Sequence, residues 1–214
     1  MTRFTLLLIL IGLYSCGHKV LTPDNKIQRF DNEWTKGAKI RNDFDSTMQE
    51  FLKSIKDSAI REAWKTDIND YTYQSTVLFE HLSDIGTILK VQADTVSWHT
   101  ADTLRPLFMK HRDETDNTTA LLSHGLNTVI HEHLTWFDGV FGDSLYFYNT
   151  KKQIPLQHNN KLLEYWIEER SNIKTPIDFE VFQLNIRQKS FIVLDSMLMS
   201  CKRTYNNDQS KQTK

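Results

Sequence analysis

The sequence predicts an all-α protein: an antiparallel bundle of long helices with shorter helices packed on it. Three observations carry this. Trp64, Ile68, Tyr71, Ser75, Leu78, Leu82, Ile85 and Leu89 recur at alternating spacings of four and three, the 3.5-residue repeat of long packed helices. No proline falls between Asp24 and Arg105, so no residue there lacks the backbone N–H that a helix needs. No alternating strand pattern is bounded by a hairpin dipeptide on both sides. Asp138-Gly139 is the one such dipeptide, and helix-like sequence flanks it.

Taken in order, the elements follow from spacing and punctuation. Gly17 to Asn25 is polar, contains Pro23 and reads as a tether. Phe44, Met48, Phe51, Ile55 and Ala59 form the first apolar stripe; Trp64 to Leu89 is the second, with Ser75 as its single polar member. Thr100 to His111 fits a short helix with Pro106 in its first turn. His111 to Asn117 reads as a turn, and Asp116 or Asn117 suits a helix cap. Thr118 to His124 is a short helix stopped by Gly125. Thr128 to Tyr148 is apolar and aromatic, with a break expected at Gly139 or Gly142. Asn160 to Arg170 is helical, with Leu162, Leu163, Trp166 and Ile167 inward. Asp178 is placed to cap the last helix. Its stripe is Phe179, Phe182, Ile186, Val193, Met197 and Cys201, interrupted at Lys189 or Ser190. The domain layout is therefore residues 1–15 as a leader, 16–25 as a tether, 26–205 as one helical domain and 206–214 as a disordered tail.

Composition excludes several classes. A net charge of −1 with 11% aromatic residues does not describe a disordered chain. Near-neutral charge argues against nucleic-acid binding, which needs a basic face. Two Cys cannot build a disulfide scaffold or a Cys-rich metal site. Some 190 residues bury a sizeable core without either.

The N-terminus is more specific. Met1-Thr2-Arg3 carries one positive charge, and Phe4 to Tyr14 is apolar. Eleven residues fall short of the about twenty that span a membrane and suit the core of a secretory signal. Leu13-Tyr14-Ser15-Cys16 then resembles the lipobox of bacterial lipoproteins, with Leu13 and Ser15 matching and Tyr14 bulkier than usual. The resemblance covers residues 1–16. It implies cleavage before Cys16 and acylation of Cys16 with palmitate-type chains. It also implies a cell-envelope location, and Gly17 in place of Asp favours the outer over the inner membrane. Two or three acyl chains anchor stably where one does not. After cleavage 25 Lys and Arg face 27 Asp and Glu, so lipid rather than a basic patch does the anchoring. Cys201 is then the one thiol left, and its place in an apolar stripe reads as a small buried hydrophobe. A long helix near the anchor, the segment Leu122-Ser123-His124-Gly125-Leu126 and paired helices after it look like membrane-anchored helical envelope proteins of unknown function. That likeness implies no activity.

Few residues suggest chemistry. His124, His131 and His133 cluster around Glu132. On a helix His124 and His131 share a face, while His131 and His133 lie about 200° apart. The spacing His-Glu-His is not the zinc-protease His-Glu-x-x-His. These three are weak metal candidates, and surface or core-edge roles fit them better. Asp113, Glu114 and Asp116, and separately Asp138 and Asp143, suit turns or caps better than a calcium loop. Nucleophile elbows and phosphate-binding glycine loops are missing, so no catalytic residue and no cofactor is expected.

Trp136, Phe137, Phe141, Tyr146, Phe147 and Tyr148 put six aromatics in thirteen residues. They read either as dense core or as a partly exposed groove for a partner. Trp136, Phe137, Phe141, Tyr146 and Tyr148 are the candidate contact residues. The functional expectation is a lipid-anchored, non-catalytic adaptor that binds another envelope protein. The alternative is a sensor or carrier domain for a small molecule or metal.

Overall fold

A computed structural model describes residues 23–93, 124–157 and 161–212. The protein is all-α. Its elements are α1 (Pro23–Ser54), α2 (Ser58–Ala93), α3 (His124–Val140), β1 (Ser144–Phe147), β2 (Lys152–Pro155), α4 (Leu162–Glu169), a 3₁₀ turn (Arg170–Asn172) and α5 (Pro176–Gln212).

The break between α1 and α2 contains neither Gly nor Pro; side chains cap it from both sides. Asp57 accepts the Ile60 amide through Oδ1 at 2.9 Å, a helix N-cap. Arg61 donates to the Ile55 carbonyl from Nε at 2.9 Å and Nη2 at 2.6 Å, filling an acceptor that the end of α1 leaves open. Ala59 therefore belongs to the next helix and is exposed, whereas Phe44, Phe51 and Ile55 are buried as expected.

The stripe on α2 is buried from Trp64 to Leu89, with Tyr71 partly so. Its polar member finds its match. Ser75 Oγ lies 2.7 Å from Ser190 Oγ, and Ser190 donates to the Arg187 carbonyl at 2.8 Å. The polar interruptions of two stripes thus satisfy each other inside the core, which removes the cost of burying either hydroxyl unpaired.

α5 is the spine. It buries the expected stripe and a second one, Val181, Leu184, Phe191, Leu194 and Leu198. It needs both because it packs against α1 along one side and α2 along another, while α1 and α2 touch little. A helix apolar on most of its circumference belongs in an interior. α2 runs antiparallel to α5, since Ser75 meets Ser190 and Gly86 meets Gln183. α1 runs parallel to it: Gln188 Nε2 donates to Glu33 Oε2 at 2.8 Å, Phe44 packs on Phe191 and Phe51 on Tyr205. Each long helix is therefore antiparallel to the one before it, and in such an up–down–up bundle the third necessarily parallels the first.

Three further boundaries and one inward position differ from expectation. Pro23 opens α1, where a missing N–H costs nothing, so the tether is shorter than expected. Thr175, not Asp178, caps α5. Asp178 is the third helical residue and accepts from Thr175 Oγ1 at 2.7 Å and from the Lys174 amide at 3.1 Å, in the manner of a capping box. Ile167 is exposed, and Tyr165 takes the inward place, stacked on Phe182. α5 runs on to Gln212 through the stretch expected as a disordered tail, held by an ion pair from Lys152 to Asp208 at 2.7 Å. Residues 1–22, and Thr100 to Asn117, lie outside the described residues, Cys16 among them.

Candidate functional site

The aromatic segment folds as the end of α3 and an antiparallel hairpin in which Leu145 faces Ile154 and Tyr146 faces Gln153. Alternation sorts its side chains. Leu145, Phe147 and Ile154 point inward and are fully buried, while Ser144, Tyr146, Gln153 and Pro155 point out. This period of two is present in Ser144–Phe147, but four residues are too few to distinguish it from a helix. The loop Tyr148–Lys151 places Lys151 at φ 53°, a left-handed conformation that Asn or Gly usually supplies.

One carboxylate holds that loop. Asp67 on α2 is 2% exposed. Its Oδ1 accepts the Asn149 amide and Asn149 Nδ2, each at 2.8 Å, and its Oδ2 accepts the Thr150 amide at 2.7 Å. Three donors offset the cost of burying the charge. Tyr71 adds a bond from its hydroxyl to the Tyr146 carbonyl at 3.1 Å, and its ring stacks on Phe147 at 5.2 Å. Burial pushes the Tyr71 hydroxyl above its ordinary range, against that hydrogen bond. β2 lies along α5.

The outer face is what a partner would meet. Tyr146 is 57% and Tyr148 78% exposed. Beside the loop lies a groove of about 330 Å³, floored by Trp64 and Tyr205 and bordered by Ile60, Asn149, Thr150 and Lys152. The Thr150 hydroxyl is buried and has no hydrogen-bond partner among the described residues. The site thus offers exposed rings, an apolar floor, an ion pair on its rim and one unfilled hydroxyl.

The structure divides the five aromatic candidates. Tyr146 and Tyr148 are exposed, and Trp136 on α3 is 39% exposed. Phe137 and Phe141 are corrected to core: both are buried and stacked at 4.5 Å, and Phe141 packs on Tyr71. An α-helix ending at Val140 turns residues 137 and 141 to the same inward face, four apart. Gly139 lies inside α3 and Gly142 in the turn that follows. Sequence reasoning did not single out Asp67, Ile60, Thr150 or Tyr205. For Asp67 the available signal was its place beside Ile68, on the packed side of a helix.

The remaining candidates play supporting parts. Asp138 accepts the Leu162 and Leu163 amides at 2.9 and 3.0 Å and so caps α4 from the end of α3. Burial pushes its carboxyl above the ordinary range, against those two bonds. α3 starts at His124, so Gly125 sits in a first turn rather than ending a helix; the His124 side chain lies outside the described set. His131 is exposed. His133 faces α2, its ring 4.4 Å from that of His81. No group of three His, Cys, Asp or Glu able to hold a metal occurs among the described residues. Cys201 is fully buried, and burial first, then the charge of Asp67, pushes its thiol far above the usual range.

No protein-family model, curated protein or solved structure matches this chain.

Proposed function

We propose that this protein is a lipid-anchored component of the bacterial envelope, bound through acylated Cys16, whose helical body presents the β1–β2 hairpin as a docking face for another envelope protein. It carries out no chemistry of its own. The observation that carries this reading is the pairing of exposure with rigidity. Two large rings stand in solvent on a hairpin whose inner face is buried and whose loop is clamped by a buried carboxylate. Tyr offers large contact area at low entropic cost, and a surface already ordered loses little freedom on binding.

The position of the hairpin supports the same reading. It packs near Trp64 and Tyr71 of α2, at the end of the body reached by the C-terminus of α1. α1 has 32 residues, so that end lies about 48 Å from Pro23 along the helix axis. A chain tethered ahead of Pro23 therefore has the reach to present the hairpin up to about that far from its anchor. No helix among the described residues is long and apolar enough to cross a membrane.

In-cell crosslinking of the tagged protein, followed by membrane purification and mass spectrometry, tests the proposal. The expected result is a discrete envelope partner, lost both in Cys16→Ala and in Tyr146→Ala/Tyr148→Ala. A partner retained in the folded tyrosine variant would remove the hairpin as the site.

A further inference from the structure

We infer that the groove between α1 and α5, walled by Arg41, Arg187 and Trp34, binds a phosphate group carried on an organic ligand. This goes beyond the docking reading and concerns another part of the molecule. On α5, Arg187 and Tyr205 are eighteen residues apart, about 27 Å along a helix.

The groove holds about 470 Å³, within the range of small-ligand sites. Its charge is unbalanced. Arg41 comes from α1 and Arg187 from α5, and Asp45 is the one acid lining it among the described residues. Asp45 and Arg41 are both more than half exposed, with Oδ2 and Nε 3.8 Å apart, a weak solvated pair. Arg187 is different. It is half-buried, and its guanidinium lies over the Phe79 ring at 4.3 Å. No carboxylate pairs with it among the described residues. Stacking fixes the plane of a guanidinium and leaves its edge N–H groups free for an oxyanion. Burial, and then the like charge of Arg41, lower the Arg187 pKa, so an anion between the two would relieve both.

The other walls suit the organic part of such a ligand. Gly37 and Ala38 keep the floor low, and a side chain at Gly37 would meet nothing closer than Gln188 Cγ at 3.7 Å. Trp34, half exposed and stacked on Phe30 at 6.2 Å, and Leu184 supply apolar surface. A dianionic phosphate matches two guanidinium groups in charge and takes more of their donors than a carboxylate does. The same phosphomonoester is found in a soluble phosphate ester and in the headgroup of phosphatidic acid.

The test is a titration of the full-length chain in uncharged detergent micelles at constant ionic strength, read by the Nε–Hε NMR signals of its arginines. Phenyl phosphate is one probe and phosphatidic acid doped into the micelles is the other. Saturable shifts of the Arg41 and Arg187 signals with phenyl phosphate, competed by inorganic phosphate, identify a soluble ester as the ligand type. The same shifts with phosphatidic acid alone identify a lipid headgroup. In either case Arg187→Gln weakens binding by about ten- to a hundredfold. Because Arg187 also packs on Phe79, the exposed variants Arg41→Gln and Ala38→Leu provide the independent check, and each should weaken binding about tenfold or more. Neither probe moving the two signals, or Arg41→Gln and Ala38→Leu binding as well as the parent, would overturn the inference.

Discussion

Asp67 shows how one side chain links three elements. It lies on α2, binds the loop between β1 and β2 through three hydrogen bonds, and its charge reaches Cys201 on α5. Asp67→Asn keeps the shape and removes the charge. Its amide nitrogen then faces a backbone N–H, so at least one bond becomes a clash of donors. We expect a loss of about 2–4 kcal/mol, the range for breaking a buried charged network. Urea unfolding measures it, and hydrogen exchange should show the Asn149 and Thr150 amides losing protection first. A loss below about 0.5 kcal/mol, the range of ordinary surface substitutions, would contradict the role given to Asp67. Ser75 and Ser190 make the same point in neutral form: each breaks the pattern of its own helix, and each is explained by the other.

Among the elements, the contact between α2 and α3 responds to pH. Burial, then the neighbouring His81, lower the His133 pKa, while Glu132 opposes them. The folded state therefore prefers neutral His133, and the unfolded chain binds its proton more readily. The contribution to stability is full above the unfolded value of about 6.5 and declines as pH falls through the lowered folded value. His133→Gln should flatten that part of the stability-versus-pH curve, as thermal unfolding over a pH series would show. An unchanged slope would mean that other groups set it. The long helices were legible because their repeats run for several turns: every expected stripe residue of α5 is buried, as is the α2 stripe apart from the half-buried Tyr71. The hairpin was not, since its strands are four residues each and its loop lacks the expected Asn-Gly or Asp-Gly signal, using Lys151 at φ 53° instead. The break after Ser54 was hidden as well, because Asp57 and Arg61 build it without Gly or Pro. The candidate site was half legible. Its aromatic density stood out in the sequence, but which rings face solvent depended on where α3 ends.

Over the whole molecule, α5 places two different surfaces on one body. Its first half, with α1, forms the arginine-lined groove; its last turns, with α2 and the hairpin, form the aromatic face. Along α1 the groove lies nearer Pro23, and the hairpin lies by the other end. The central claim is that the hairpin face meets a partner. A photo-crosslinking amino acid placed in cells at Tyr148, and at the exposed Glu80 on α2 as control, tests it most directly. The account predicts one discrete crosslinked envelope protein from position 148 and none from position 80. A folded, membrane-associated protein giving no adduct from position 148, or the same adducts from both positions, would contradict it.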